Sequence, residues 1–330
     1  MSPDGRLEVL IVGCGNIAGG FDAARADDAQ PLTHAAALRR HGGFVLRACV
    51  DSDADQRSAF MARWRVAHGA ARIEDLQSAP GTFDLVCICS PTVLHGEHLA
   101  AALALAPRMV FCEKPVTPTL AETAHWAARY AQAGIPIAVN HTRRWAPDVV
   151  RLSDELRRGT WGPVRSASGT YNKGVLNNGG HMVDLLHLLL GPVEPMAAGA
   201  GVWDFWPEDP SVPALLRTAQ GVPVTLNVGH AADCSVFELQ LVTEKAVITM
   251  EEGGLAWRVR PIVESPDFKG YRSLSAGERR AGEYAQAMGR AAANLHAAIT
   301  QGEPLACSAA SAQAAQAVCE TLRRMALNAA

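Results

Sequence analysis

The sequence lacks the features that would assign it to several large classes of protein. Its eight cysteines are dispersed, with no CxxC pair and no His/Cys spacing typical of a metal site, so we expect buried thiols in a reducing compartment. The basic residues occur in scattered pairs and the formal net charge is -3, which argues against a nucleic-acid groove. No internal repeat is present. These features favour a small-molecule partner and no bound metal.

Long apolar runs are also missing. Met1 to Leu10 contains an acid at Asp4 and only a brief apolar run, which predicts neither a signal peptide nor a membrane span. No other stretch is long enough to cross a bilayer, and we therefore expect a cytoplasmic protein without a membrane partner.

What the sequence does contain is enough apolar residue to bury a large core. At 330 residues and 48% hydrophobic composition, it is long enough for two domains. The first part alternates helical patterns with strand-like runs, which is typical of a doubly wound parallel sheet. These runs are Val9 to Gly13, Phe44 to Val50, Leu85 to Cys89, Met109 to Cys112 and Ile135 to Asn140.

The pattern changes after Trp145. A buried helix at about 181–190 lies among strand-like runs, and two helices close the chain, one from about Ala281 to Thr300 and one from about Ala309 to Leu327. We predict an α/β protein with a doubly wound sheet in residues 1–143. The second domain, residues 144–330, is predicted to be α+β with a large, mostly antiparallel open sheet.

A glycine-rich turn follows the first apolar run, Leu7 to Val12. Gly13 allows a tight turn, Gly15 allows the backbone to approach phosphates, and Ala18 allows close packing of a helix that we expect to begin there. The turn therefore predicts a bound dinucleotide. The residues expected to contact it here are Gly13, Gly15, Asn16 and Ile17.

Asp51 ends the second strand, where a carboxylate can accept both ribose hydroxyls of an adenosine. This favours NAD. The number of residues between Gly15 and Asp51 is larger than in a compact unit, so we expect an added loop over 21–32 before the helix that contains His34. Asp53 and Asp55 are alternatives for the ribose contact, and Arg57 could pair with a 2′-phosphate, so NADP is not excluded.

Two further loops lie at the carboxyl ends of predicted strands, where open sheets bind ligands. Ser90 and Pro91 end the strand-like run that begins at Leu85, and His95 follows them. His95 either contacts the cofactor or only begins a helix. Lys114 comes just after the fifth strand, and the fixed φ of Pro115 limits how the loop directs its ammonium. Its place beside a cofactor site favours a catalytic lysine over a solvated one.

The buried helix of the second part carries His181, Asp184 and His187. A spacing of three keeps them on one side of the helix, within reach of a shared pocket. Buried polar groups need a partner or a ligand, so His181 and Asp184 either satisfy one another or face a substrate.

Together these motifs resemble the glucose-fructose oxidoreductase, inositol dehydrogenase and MocA family over essentially the whole chain. The matching segments, in the family's order, are Gly13 to Ala18, Ser90-Pro91 with His95, Glu113-Lys114-Pro115, Arg144-Trp145, and the GxHxxD pattern of Gly179, His181 and Asp184. The resemblance implies a Rossmann domain and an open-sheet domain that makes the contacts of a homodimer or homotetramer.

It also implies an NAD(P)-dependent dehydrogenase acting on a carbohydrate-like substrate. His181 would be the general base for a secondary hydroxyl, Lys114 would stabilise the oxyanion, and Asp184 would orient His181 or bind substrate. Glu113 and Lys114 would border the cofactor, and Arg144 and Trp145 the substrate.

One departure from the family pattern concerns the substrate. Asn177 stands where polyol-oxidising relatives often have an aspartate, and an amide cannot assist a proton relay. Lys173 is a further candidate for substrate binding. Core packing is favoured over sugar stacking for Trp203, Phe205 and Trp206. Alternative functions are redox-neutral elimination or glycoside cleavage with cycling NAD, and a non-catalytic NAD-binding regulator.

Overall fold

The computed structural model describes residues 5–328 and divides them into two compact units. The first contains the described residues through Trp145 together with Ala285–Gln313, and the second contains Ala146–Tyr284 and the chain from Ala314 onward. Met1 to Asp4, part of the stretch predicted to be neither signal nor span, lie outside the described residues, as do the last two alanines. Across residues 5–328, every helix is too short or too polar to cross a membrane.

The first unit is built on a six-stranded parallel sheet. Its strands are β1 (Leu7–Val12), β2 (Phe44–Val50), β3 (His68–Ala70), β4 (Leu85–Ile88), β5 (Met109–Cys112) and β6 (Ile137–Val139). They lie in the order β3-β2-β1-β4-β5-β6, so the direction of winding reverses between β1 and β4. Open sheets bind ligands at such a switch point. The predicted doubly wound sheet is confirmed.

Short polar side chains fix where several helices begin. The α-helices of the described chain are α1 (His34–His41), α2 (Ala54–Trp64), α3 (His95–Ala104), α4 (Leu120–Gln132), α5 (Pro147–Arg157), α6 (Gly179–Leu190), α7 (Ala287–Gln301) and α8 (Ala309–Asn328). Thr33, Asp53 and Thr119 precede α1, α2 and α4, and each side-chain oxygen accepts a backbone N–H of the first turn. These bonds satisfy donors that have no partner within the helix.

The helix predicted to begin at Ala18 does not form. A turn and a short 3₁₀ helix follow instead, and α1 begins only at His34. Gly19 and Gly20 lose more backbone entropy in a helix than any other residue type, which disfavours a helix here. That prediction was wrong, whereas the predicted loop over 21–32 is confirmed.

The second unit contains a nine-stranded sheet and a separate hairpin. Its strands are β7 (Val164–Tyr171), β8 (Val193–Ala198), β9 (Val202–Trp206), β10 (Asp209–Ser211), β11 (Ala214–Thr218), β12 (Pro223–Val228), β13 (Phe237–Thr243), β14 (Ala246–Glu251), β15 (Ala256–Glu264), β16 (Arg272–Leu274) and β17 (Glu278–Ala281). The large sheet has the order β16-β15-β14-β13-β7-β12-β11-β8, with β17 beside β15, and β9 pairs with β10. β7 and β12 run parallel and the other pairings are antiparallel, which confirms the predicted sheet.

The large sheet has one buried and one open face. Along β13, Phe237, Leu239 and Leu241 are buried while Glu238 and Gln240 are exposed. This alternation is expected when only one face of an antiparallel sheet packs on a core.

The boundary between the units differs from the predicted division into 1–143 and 144–330. Residues 285–313 belong to the first unit. The buried indole of Trp145 donates to Asn294 Oδ1 at 3.1 Å, and α7 packs against α1. Contacts between segments so far apart in sequence leave no periodic pattern in either segment, so the sequence predicted one continuous second domain.

The eight cysteines form no disulfide. Seven are buried, as expected for small apolar side chains, and Cys234 is exposed.

Candidate active site

The glycine-rich turn connects the end of β1 to its neighbours in the sheet. Gly13 has a φ of 87°, a left-handed conformation that favours glycine, and its N–H donates to the Val50 carbonyl at 2.8 Å. A Cβ at Gly13 would lie 2.6 Å from the backbone nitrogen of Ser90. A Cβ at Gly15 would meet nothing within 4 Å. The turn is therefore tight beside β4 and open to a ligand at Gly15.

The rest of the turn supports the start of α1. The Ile17 carbonyl accepts the N–H of His34 at 3.2 Å, and Ala18 is fully buried. Asn16 Oδ1 lies 2.7 Å from the position of a Cβ on Gly20, so a side chain there would displace it. Because the first N–H groups of α1 are directed at turn carbonyls, α1 stabilises the shape of the turn.

Asp51 follows β2 and is partly exposed. Its Oδ2 accepts the N–H of Cys14 and the side-chain amide of Gln56, each at 2.7 Å, and its Oδ1 accepts the N–H of Asp53 at 2.9 Å. These bonds hold the carboxylate against the glycine-rich turn. The remaining acceptor capacity of Oδ1 can receive a ribose hydroxyl.

The structure separates Asp51 from its alternatives. The Asp53 side chain caps α2 by accepting the N–H groups of Asp55 and Gln56, and Asp55 is exposed in the first turn of that helix. The Arg57 guanidinium donates to the Asp51 carbonyl, so a cation lies next to the candidate ribose carboxylate.

His95 is the first residue of α3, as the helix-start alternative predicts, and it is fully buried. Its Nε2 lies 2.9 Å from the Ser90 carbonyl and its Nδ1 lies 3.0 Å from the Pro115 carbonyl. The imidazole therefore links the loop after β4 to the loop after β5. Ser90 shares a 2.8 Å hydrogen bond with His98 Nδ1, and Pro91 is exposed at the same edge.

Glu113 and Lys114 follow β5 directly. Glu113 Oε1 accepts hydrogen bonds from His34 Nε2 at 2.8 Å and from the Asn140 amide at 2.7 Å. Burial by itself would raise the pKa of Glu113, but the hydrogen bonds from His34 and Asn140 and the charge of Lys114 hold that pKa below its ordinary value. Glu113 is thus an ionised, inward-directed support of the loop, whose Lys114-Pro115 bond is cis.

Arg144 and Trp145 contact the C-terminal segment of the first unit. Trp145 is 4% exposed, donates to Asn294, and packs edge-on against Phe111 with ring centroids 5.9 Å apart. Arg144 donates to the Ala306 carbonyl at 3.3 Å. These contacts hold the segment that contains α7, and the substrate contact that the sequence predicts for both residues stays a prediction.

In the second unit, α6 carries His181 and Asp184. Asp184 is 1% exposed and His181 is half-buried on a helix whose apolar residues lie in the core. A Cβ at Gly169 on β7 would lie 2.8 Å from Met182 Sδ, so glycine allows α6 to approach the sheet closely. The predicted buried helix with polar residues at a spacing of three is confirmed.

The segment between β7 and α6 is held by the β9–β10 hairpin. Asp204 accepts the N–H of Lys173 at 2.8 Å, and Asp209 accepts the N–H groups of Asn177 and the residue before it, each at 2.9 Å. These charge-assisted bonds fix a single π-helical turn, Gly174–Asn178, which leads into α6. The hairpin therefore determines where Lys173 and Asn177 lie.

The aromatic residues of this hairpin are more exposed than the favoured core packing predicts. Trp203 is 49% exposed, Phe205 53% and Trp206 48%. Lys173 Nζ lies 5.3 Å from the Phe205 ring centroid, within the range of a cation–π contact. Their exposure leaves these rings available to stack on a ligand.

Each unit thus groups part of the predicted site. The carboxyl edge of the parallel sheet holds the turn, Asp51, Ser90 and Lys114, and the second unit holds His181 and Asp184 with the segment that precedes α6. Within residues 5–328, no group of three or more His, Cys, Asp or Glu side chains could hold a metal ion.

Three supporting residues were missed. Asn140 follows β6 at the carboxyl edge, so counting strand ends could have found it. His34 and Asp209 form hydrogen bonds with residues far from them in the sequence, and no local sequence pattern indicates these contacts.

The fold and the turn define a dinucleotide-binding domain of the Rossmann type. Residues 7–141 match the family model described as "Oxidoreductase family, NAD-binding Rossmann fold". The first unit is therefore similar to this family over residues 7–141, which supports the predicted resemblance and the NAD-binding domain.

Curated relatives match parts of the chain. It is 30% identical to D-xylose dehydrogenase of Paenarthrobacter nicotinovorans over 107 residues, which cover 32% of this chain and 27% of that protein. It is 28% identical to scyllo-inositol 2-dehydrogenase (NADP(+)) of Bacillus subtilis over 101 residues, covering 31% and 28%. The match therefore spans less than a third of the length of these relatives.

A solved structure is similar over the whole chain. Levoglucosan dehydrogenase in complex with NADH aligns with a TM-score of 0.80 over 98% of each chain, at 16% identity. At this identity the similarity shows the fold alone.

Proposed function

We propose that the protein is an NAD(P)-dependent dehydrogenase that transfers a hydride between nicotinamide and a secondary hydroxyl or keto carbon of a sugar, polyol or sugar nucleotide. The observation that carries the proposal is the position of Lys114, which follows the anchored Glu113 at the carboxyl edge of an NAD-binding Rossmann sheet. The relatives' names refer to xylose, scyllo-inositol and levoglucosan, which supports a carbohydrate-like substrate.

The residues present fit a dinucleotide. The backbone from Gly13 to Ile17 would surround the pyrophosphate, because a side chain is absent at the open position Gly15. Asp51 would accept the adenosine ribose hydroxyls, and Ser90 and Pro91 would border the nicotinamide half. When bound, the nicotinamide supplies hydride acceptance or donation at its C4.

The other steps belong to side chains of this chain. His181 would take the hydroxyl proton in the oxidative direction, and Asp184 would orient it or bind a neighbouring hydroxyl. The Lys114 ammonium would stabilise the oxyanion that develops on the same carbon. Lys173 and Asn177 would hold further polar groups of the substrate, because the hairpin fixes their backbone.

The test is a screen of NAD and NADP against polyols, free sugars and nucleotide sugars, followed by the absorbance of the reduced nicotinamide. We expect turnover with at least one carbohydrate, lost in Lys114→Met and His181→Ala and retained in Lys269→Met, which removes an exposed lysine. Turnover that survives both active-site changes would refute the assignment. Product formation without net NADH would favour the redox-neutral alternative, and a strong NADP preference would overturn the role of Asp51.

We further propose that the protein forms a homodimer or homotetramer through the open face of the nine-stranded sheet. The centre of this face carries mainly hydroxyl and amide side chains, with the exposed carboxylate of Glu238 beside them on β13. The hydroxyl and amide side chains are Ser168, Thr170, Thr225, Asn227 and Gln240, which are neighbours across β7, β12 and β13. Hydroxyl and amide side chains can be covered at lower cost than charged ones. A cytoplasmic location would suit eight cysteines that form no disulfide.

A further inference from the structure

A buried polar cluster lies beneath Lys114. His34, at the start of α1, and Asn140, after β6, both donate to the same oxygen of Glu113, at 2.8 and 2.7 Å. His34 is fully buried and Asn140 is 2% exposed, and the His34 ring packs on Phe111 with centroids 4.5 Å apart. The cluster therefore joins α1, β5 and β6 at the residue that precedes Lys114.

The donors and acceptors of the three side chains determine which atom of the cluster carries each proton. Since Glu113 is ionised and only accepts, His34 must present a proton on Nε2. In the described part of the chain, His34 Nδ1 and Asn140 Oδ1 are buried without a hydrogen-bond partner. Apolar side chains could fill the same space, whereas His34 and Asn140 donate two hydrogen bonds that fix the position of one carboxylate oxygen.

His34 also contacts the glycine-rich turn. Its backbone N–H donates to the Ile17 carbonyl at 3.2 Å, and its side chain reaches Glu113. One residue thus connects the turn that would hold the pyrophosphate with the loop that carries Lys114. A shift of the turn would move His34 and, through Glu113, the peptide that orients the lysine.

We propose that His34 is a positioning residue that sets the orientation of Lys114 and couples it to the state of the glycine-rich turn, with Asn140 as its second support on Glu113. The inference rests on the proposed function, because it assigns His34 an effect on the lysine of that site. It adds a residue 80 positions away in sequence from the side chain that it orients.

The first experiment observes Lys114 directly and needs no turnover. The chain has four lysines, Lys114, Lys173, Lys245 and Lys269, so protein labelled with [¹³Cε]lysine gives a spectrum of four side-chain signals that Lys114→Met assigns. We expect His34→Leu to shift the Lys114 signal and to reduce its response to added NADH, and the other three signals to stay in place. His34→Gln should restore both, because its amide nitrogen can donate to Glu113 from the position of Nε2. His125→Leu, at an exposed histidine of α4, is the matched control.

The second experiment is a double-mutant cycle in kcat and KM on the substrate found by the screen. His34→Leu should lower kcat by about 10-fold with KM within about 2-fold, and should change kcat by less than about 2-fold in the Lys114→Met background. His34→Gln should recover most of kcat. Thermal unfolding of each variant shows whether the fold is retained, and His34→Gln keeps the test decisive if His34→Leu fails to fold.

The outcomes separate the two proposals. A wild-type protein without turnover on any substrate refutes the proposed function, and the lysine spectrum then decides the inference alone. An unmoved Lys114 signal in folded His34→Leu overturns the inference, as does an equal loss of kcat in both lysine backgrounds, which would mean that His34 acts independently of Lys114.

Discussion

Two glycines of one turn are required for different reasons. Gly13 has a φ of 87° and a backbone atom of Ser90 2.6 Å from the position of a Cβ, whereas Gly15 has neither constraint. The first glycine is therefore a requirement of the folded chain, and the second would be a requirement of the proposed ligand.

Gly13→Ala should lower the free energy of unfolding by at least about 1–2 kcal/mol, since a left-handed alanine is strained even before the clash with Ser90. Gly15→Ala should leave stability within about 0.5 kcal/mol, as expected of a substitution with no close neighbour, but should weaken NADH binding. Urea unfolding and NADH fluorescence titration measure the two effects. A Gly13→Ala protein of unchanged stability would contradict the geometry of the turn.

Glu113 should make stability depend on pH. Its folded-state pKa lies below its ordinary value of 4.5, so its contribution is present above the unfolded pKa and is lost as the pH falls through the folded pKa. We expect Glu113→Gln to be less stable than the wild type at neutral pH and the difference to shrink on acidification below pH 4.5. Urea unfolding across this range tests it, with the exposed Glu97→Gln as control. A difference that is constant with pH would show that the charge of Glu113 does not stabilise the fold.

The candidate site was predictable where chemistry follows local sequence. Gly13, Asp51 and Lys114 each come directly after a strand, and a strand end is visible as the end of an apolar run. The partners of Glu113 and Trp145 were not predictable, because His34 and Asn294 reach them only through the fold.

At the scale of elements, the long and regular ones were predictable. β2 has its predicted bounds, Phe44–Val50, and the helix predicted from about Ala309 to Leu327 is α8, Ala309–Asn328. The helix predicted from Ala281 begins at Ala287 instead, because the preceding β17 (Glu278–Ala281) pairs with β15. Pairing between distant segments thus overrides the local preference for helix. The short strands β8 to β11 were missed for the same reason, because their pairing depends on distant segments.

The β9–β10 hairpin should control the segment before α6. Asp209 is buried and accepts two backbone N–H groups, so Asp209→Ala should cost about 2–3 kcal/mol of stability and raise KM for the substrate. NADH affinity should not change, since the dinucleotide turn belongs to the other compact unit. Denaturant unfolding, steady-state kinetics and NADH titration test these effects. The adjacent exposed Glu208→Ala is the control, and an equal effect of both changes would contradict the assigned role.

At the scale of the whole molecule, the open face of the nine-stranded sheet carries the proposed self-association. Gln240→Arg places a charge at the centre of this face and should convert the oligomer to monomers, because an unpaired charge is costly to bury. Light scattering coupled to size-exclusion chromatography measures the mass. Ser58→Arg, on the exposed side of α2, should leave it unchanged. A wild-type monomer, or an oligomer that survives Gln240→Arg, would show that this face is not the interface.

The late start of α1 also affects how affinity is distributed along a dinucleotide. In many Rossmann domains a long helix directs the positive end of its dipole at the pyrophosphate, but here α1 begins at His34 and its first N–H groups bind carbonyls of the turn. The pyrophosphate would therefore contribute less to the binding free energy, and the adenosine and nicotinamide ends would have to contribute more. Fragments that lack either end should lose affinity disproportionately, so this pocket would discriminate intact dinucleotides from the mononucleotides that share their phosphates.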